Sequence, residues 1–170
     1  MKTKSFLLNI IILSLFISCS NEDDFNSNGQ SAQESVVTAD AALIVLGAND
    51  LTDSLTLDIV IPENEYGLSN AEPLLLLPFY KSADIESETW FPVPNVQIEK
   101  NLKVYYSRSN GLELVIIAEK FDSPTPYGNK LEFKELNIIA VKPSSISGLT
   151  RSELDTRNYQ EMVDFLGLNQ

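Results

Sequence analysis

Between Leu55 and Ile61 the apolar side chains Leu55, Leu57, Ile59 and Ile61 take every second position, with Thr56, Asp58 and Val60 between them. A period of two puts all four on one face of an extended chain, which suits a half-buried strand and not an amphipathic helix. Pro62 ends the run, because it has no N–H to give to a ladder. The same signal recurs along the chain. Residues 74–80, LLLLPFY, form a continuous apolar run of strand length, with Pro78 arguing against a fully paired central place. From Val96 to Tyr106 the even positions are apolar except for Lys100, which predicts one long strand with its even face inward.

Asn110-Gly111 is the strongest turn signal, since a two-residue type I′ hairpin needs positive φ at both central positions. Such a turn opposes Arg108 to Glu113 as an ion pair and brings Tyr106 to Val115 and Val104 to Ile117 on the inward face. The other face of the second strand then shows Leu112, Leu114 and Ile116, too apolar to be left wet. Two covers suggest themselves, a helix of the same chain or a partner protein.

The helix is announced by Thr150-Arg151-Ser152-Glu153, a capping box, with Leu149 and Leu154 at the positions of a hydrophobic staple. Leu154, Tyr159, Met162, Val163 and Leu166 follow at helical spacing, and Gly167 is a C-terminal stop, so the reading is a helix over 151–166. Residues 131–141 form a last strand whose apolar phase switches, as a β-bulge near Glu135 would make it do. The expected fold is mostly β: an antiparallel β-sandwich of about six or seven strands with one C-terminal helix. The alternative is an α+β single sheet.

The N-terminus differs in kind. Lys2 and Lys4 precede a short apolar stretch, Phe6 to Ile17, broken only by Asn9 and Ser14. Twelve residues are too few to span a bilayer core, which needs roughly 20, so the segment reads as an export signal. The junction Phe16-Ile17-Ser18-Cys19 resembles the lipobox of bacterial lipoproteins, whose cysteine is acylated with palmitate-type chains and becomes the first residue. Ser20 and the acidic run Glu22-Asp23-Asp24 resemble the sorting signals of surface-exposed outer-membrane lipoproteins. The resemblance implies a signal peptide over 1–18, lipidation at Cys19, and a membrane anchor in the outer membrane facing the cell exterior. Two or more acyl chains give stable anchoring where one is marginal. Residues 19–37, poor in apolar side chains until their end, read as a flexible acidic tether, and 38–170 as a single domain.

Twenty-four acidic residues face 12 basic ones, a net charge of −12, and from Cys19 to Tyr80 there is no Lys or Arg at all. A chain so acidic is a poor partner for nucleic acid, which needs a basic patch. The acids serve either as a solvated surface or as a face for a cation or basic partner.

No histidine is present, and the single cysteine belongs to the lipobox, so histidine-based triads, histidine general bases and histidine-ligated zinc are excluded. A carboxylate pair of the glycosidase kind is the one catalytic option left. The chain is therefore read as a binding protein and not an enzyme, with no cofactor. Calcium is possible, although Asp50-Leu51-Thr52-Asp53 lacks the spacing of an EF-hand loop. If the strands run up and down, loops 48–53, 81–95 and 120–129 fall at one end and gather Asp50, Asp53, Trp90, Asp122 and Tyr127. Aromatic faces beside carboxylates suit sugar rings; equally, Trp90 can plug the core edge and Tyr127 can be a loop lid. The partners expected are the bilayer through Cys19 and an extracellular glycan or envelope protein, with a structural or accessory subunit of an envelope complex as the rival reading.

Overall fold

The computed structural model of the protein describes residues 34–59, 73–86, 88–109 and 113–169. Among the described residues nine strands build two antiparallel sheets. They are β1 (Glu34–Val37), β2 (Ala41–Leu51), β3 (Ser54–Asp58), β4 (Leu75–Ser82), β5 (Phe91–Pro92), β6 (Asn95–Gln97), β7 (Leu102–Ser109), β8 (Glu113–Lys120) and β9 (Leu131–Val141). Two short helices follow, α1 (Pro143–Ile146) and α2 (Tyr159–Phe165). Sheet order is β1-β2-β9-β4-β5 in one layer and β3-β8-β7-β6 in the other. The β-sandwich with a C-terminal helix is the architecture the sequence led us to expect.

The core between the sheets takes Ile44, Leu46, Leu57, Leu76, Tyr80, Val104, Phe133 and Ile138, all essentially inaccessible to solvent. A second apolar layer lies on the outer face of the five-stranded sheet. There Leu43, Phe79, Ile139 and Val141 are covered by Leu154, Met162, Val163 and Leu168 of the C-terminal segment. Strand β9 serves both layers because its alternate residues face opposite ways, Ile139 and Val141 outward, and its phase change keeps the other set inward along the whole strand. Leu131 and Phe133 face the sandwich interior, and so do Leu136, Ile138 and Ala140 after a register shift that pairs Lys81 with Glu135 but Ser82 with Phe133. The bulge expected near Glu135 is there.

Pro78 sits inside β4, between β9 and β5. Its carbonyl accepts the Val93 N–H at 2.8 Å, so the side on which proline lacks a donor is the side facing the two-residue β5. The missing hydrogen bond falls where little ladder exists to lose it.

Four sequence expectations need correction. The β7–β8 register opposes Ser109 to Glu113, Tyr106 to Ile116 and Val104 to Ala118, one residue away from what a two-residue turn would give. Asn110, Gly111 and Leu112 lie outside the described residues, as does Ile61. A slip of one residue turns a strand over. Leu114 and Ile116 therefore lie in the sandwich core, each 0% exposed, and Val115 and Ile117 face outward. They are not a partner surface. Arg108 accordingly faces Leu114, and its guanidinium donates to the Leu74 carbonyl at 2.6 Å.

The stretch 96–106 is two strands and not one. After β6 a single 3₁₀ turn, Ile98–Lys100, and Asn101 at φ 50° reverse the chain, and β6 pairs back on β7. Val96 and Ile98 are left 51% and 71% exposed.

The helix over 151–166 is broken. Half of the capping box forms, with the Glu153 carboxylate accepting from the Thr150 N–H at 2.7 Å and from its hydroxyl at 2.8 Å, but the Glu153 N–H bonds the Thr150 carbonyl at 2.9 Å and not the hydroxyl, and one turn only is closed. Local acceptors then compete for the backbone. Asp155 takes the Arg157 N–H at 3.1 Å, Glu161 takes the Asp155 N–H at 2.9 Å, and Asn158 caps a new start by accepting from Glu161 N–H. Helix α2 ends at Gly167, φ 64°, where Leu168 N–H bonds back to the Val163 carbonyl at 2.9 Å. This is a Schellman closure that buries Leu168 in place of Leu166. The segment covers the five-stranded sheet, not β8.

Finally, order begins inside the stretch read as tether. Strand β1 pairs Glu34 through Val37 with Val45 through Ala42.

Candidate functional site

The antiparallel pairing fixes which loops share an end. Leu51 opposes Leu131, Lys81 opposes Glu135, and Leu102 opposes Lys120. The loops around 51–53, 82–86, 98–101 and 120–130 thus crowd one end of the sandwich. They are tied to each other across long sequence distances. Asp53 accepts the Gly128 N–H at 2.9 Å, where φ is 74°. The Asp53 carbonyl takes the Ala118 N–H at 3.0 Å. Asn101 receives the N–H groups of both Phe121 and Asp122, at its carbonyl and side chain, each at 3.1 Å. Lys100 pairs with Asp84, which also accepts from the buried Ser82 hydroxyl. These two donors, Lys100 first, hold the Asp84 carboxyl below its ordinary range.

Asp50 and Glu132 grip Lys130 from two sides, at 3.0 and 2.9 Å. Hydrogen bonds to Glu132 and then Asp50 raise the Lys130 ammonium above its ordinary value. Beside this trio a cleft of about 190 Å³ opens, lined by Ala83, Asp84, Lys130, Leu131 and Glu132. Of the residues singled out from sequence, Asp50 reaches its rim through Lys130. Asp53 works as a loop tie. Asp122 accepts from the Ser123 hydroxyl at 3.2 Å, and Tyr127 packs against the inter-sheet core.

Trp90 is elsewhere. Loop 81–95 does not stay at the sandwich end, because Phe91 pairs with Tyr80 and carries the chain back along β4. Phe91 turns inward and Trp90 outward, onto the covered face of the five-stranded sheet. Its ring stacks on Tyr159 at 4.0 Å, and the Lys81 ammonium lies 4.7 Å from its centroid. Lys81 is held in turn by Glu88 and Glu135, each at 2.9 Å. Burial lowers its pKa, but the hydrogen bonds to Glu135 and Glu88 outweigh that and raise it. Tyr159 accepts from the buried Asn137 amide at 2.8 Å. Trp90 thus joins β4, β9 and α2 as packing.

Sequence reasoning missed Asp84, Lys100, Lys130 and Glu132. Each is a single charged residue near a strand end, and no local spacing marks it. Among the described residues no group of three or more acidic side chains is placed to hold a metal ion. No helix of the described residues is long and apolar enough to cross a membrane. Cys19 lies outside the described residues. No family model, no curated protein and no solved structure matches this chain.

Proposed function

We propose that this chain is a lipid-anchored outer-membrane protein, held by acylated Cys19 with its domain facing the cell exterior, and that the domain is a non-enzymatic binding module. The observation that carries the binding role is the crowded end of the sandwich. Loops from both sheets are fixed there by side-chain ties, Asp53 to Gly128, Asn101 to Asp122 and Lys100 to Asp84. Rigid loops on a β scaffold are where recognition usually resides. The Lys2 to Cys19 pattern carries the anchor.

A second reading, an accessory subunit of an envelope complex, draws on a different feature. Val96, Ile98 and Phe121 are each 46% exposed or more, and Ile98 and Phe121 are both bonded through their backbones to Asn101, just after β6. Two experiments separate these readings. Cys19→Ala should move the protein from the detergent-extracted membrane fraction to the soluble one; a variant that stays in membranes contradicts the anchor. A binding module saturates with a ligand in isolation, whereas a subunit co-purifies with one fixed protein and loses it on Ile98→Asp.

A further inference from the structure

We infer that the cleft between the 82–84 turn and the start of β9 binds a single neutral, hydroxyl-rich ring, a terminal glycosyl unit. This rests on the binding-module reading above and names its ligand class.

Size sets the first limit. At about 190 Å³ the cleft displaces roughly six waters, taking ~30 Å³ for each. That is below the ~300 to 1,000 Å³ of sites for larger ligands. One ring fills it.

Charge sets the second. Two carboxylates, Asp84 and Glu132, and the Lys130 ammonium line the opening, Lys100 and Asp50 pair with them from outside it, and all five are already paired. An anionic ligand would have to take Lys130 from its two carboxylates and leave them facing each other. A cationic ligand would displace Lys130 in the same way. A neutral polyol does neither.

Hydrogen-bond capacity supplies the attraction. Lys130 has three N–H groups and spends two of them, on Asp50 and Glu132. Each of those carboxylates bonds Lys130 through one oxygen, and its other oxygen has no partner among the described residues. At the cleft itself Glu132 keeps one free acceptor and Lys130 one free donor, which suits vicinal hydroxyls that donate to carboxylate and accept from ammonium. The floor is firm, because the Ala83 N–H bonds the Glu132 carbonyl at 2.9 Å and Ser82 is buried beneath Asp84. No aromatic ring lines the cleft. Affinity for one ring should then be on the order of millimolar, since few atoms are in contact and no stacking contributes.

The test is saturation-transfer NMR on the full chain, purified in a detergent without a sugar headgroup, against glucose, galactose, mannose and N-acetylglucosamine. Wild type should saturate with at least one of them. Glu132→Gln, at an exposed position that leaves the fold intact, should weaken that binding at least about tenfold, as loss of a charged acceptor does. Trp90→Ala should not change it. Binding that survives Glu132→Gln and fails in Trp90→Ala would overturn the cleft and leave the binding-module reading standing. No saturation with any of the four sugars would also overturn the cleft, and co-purification of a fixed protein partner would then decide whether the module reading falls with it.

Discussion

Tyr80 shows how much one side chain can couple the two sheets. It is 0% exposed, stacks on Phe91, lies tilted against Phe133, and its hydroxyl accepts from the Gln97 amide of the opposite sheet at 2.9 Å. Burial pushes its pKa from 10.0 up to about 12. The folded chain then keeps a proton that the unfolded chain loses, so stability is full below pH 10 and falls as pH rises towards 12. Burial raises Tyr106 and Tyr159 in the same direction. Urea midpoints measured from pH 8 to 11.5 should fall steeply above pH 10, and Tyr80→Phe should flatten that slope without removing it. Ile116 makes a simpler case. It is inaccessible and packed between sheets, so Ile116→Ala should cost about 3 kcal/mol, removed contacts and cavity together, in a denaturant titration. An exposed position would cost within about 0.5 kcal/mol.

Elements were legible from sequence wherever one face alone was apolar. Strand β3 and the bulge in β9 fall where the period of two and its phase change put them, whereas β4 was marked by the unbroken apolar run 74–80. The β7–β8 register was not legible, because 114–117 reads Leu-Val-Ile-Ile and either face could be buried. The reversal at Asn101 was hidden for another reason: positive φ at a non-glycine residue has no strong sequence mark. In the C-terminal segment half of the capping box was real, but two further caps within eight residues divided the helix. Asn158 holds the surviving helix, so Asn158→Ala should lower stability by about 1 kcal/mol. Because α2 covers Phe79 and Ile139, that loss should appear in the global denaturation midpoint and not only as local fraying. The cleft was the least legible part. Asp50 and Lys130 lie 80 positions apart in the chain and meet only because Leu51 pairs with Leu131.

At the scale of the whole molecule, the two layers of core divide the labour. The inter-sheet layer joins β2, β9 and β4 to β8 and β7, and the outer layer fastens the C-terminal segment over the same central strands. Loops at one end are thereby braced from both sides, which the charged cleft requires if its geometry is to outlast thermal motion. Strand β1 stands outside that bracing. It is an edge strand of four residues, bonded on one side to β2. A sideways tug on the leading chain loads the β1–β2 pairs one after another, as a zipper is opened, not all together. If the chain is held through acylated Cys19 as proposed, shear or drag on the domain would thus release β1 first, adding ~13 Å of length at ~3.3 Å per residue, while the loop end stays assembled.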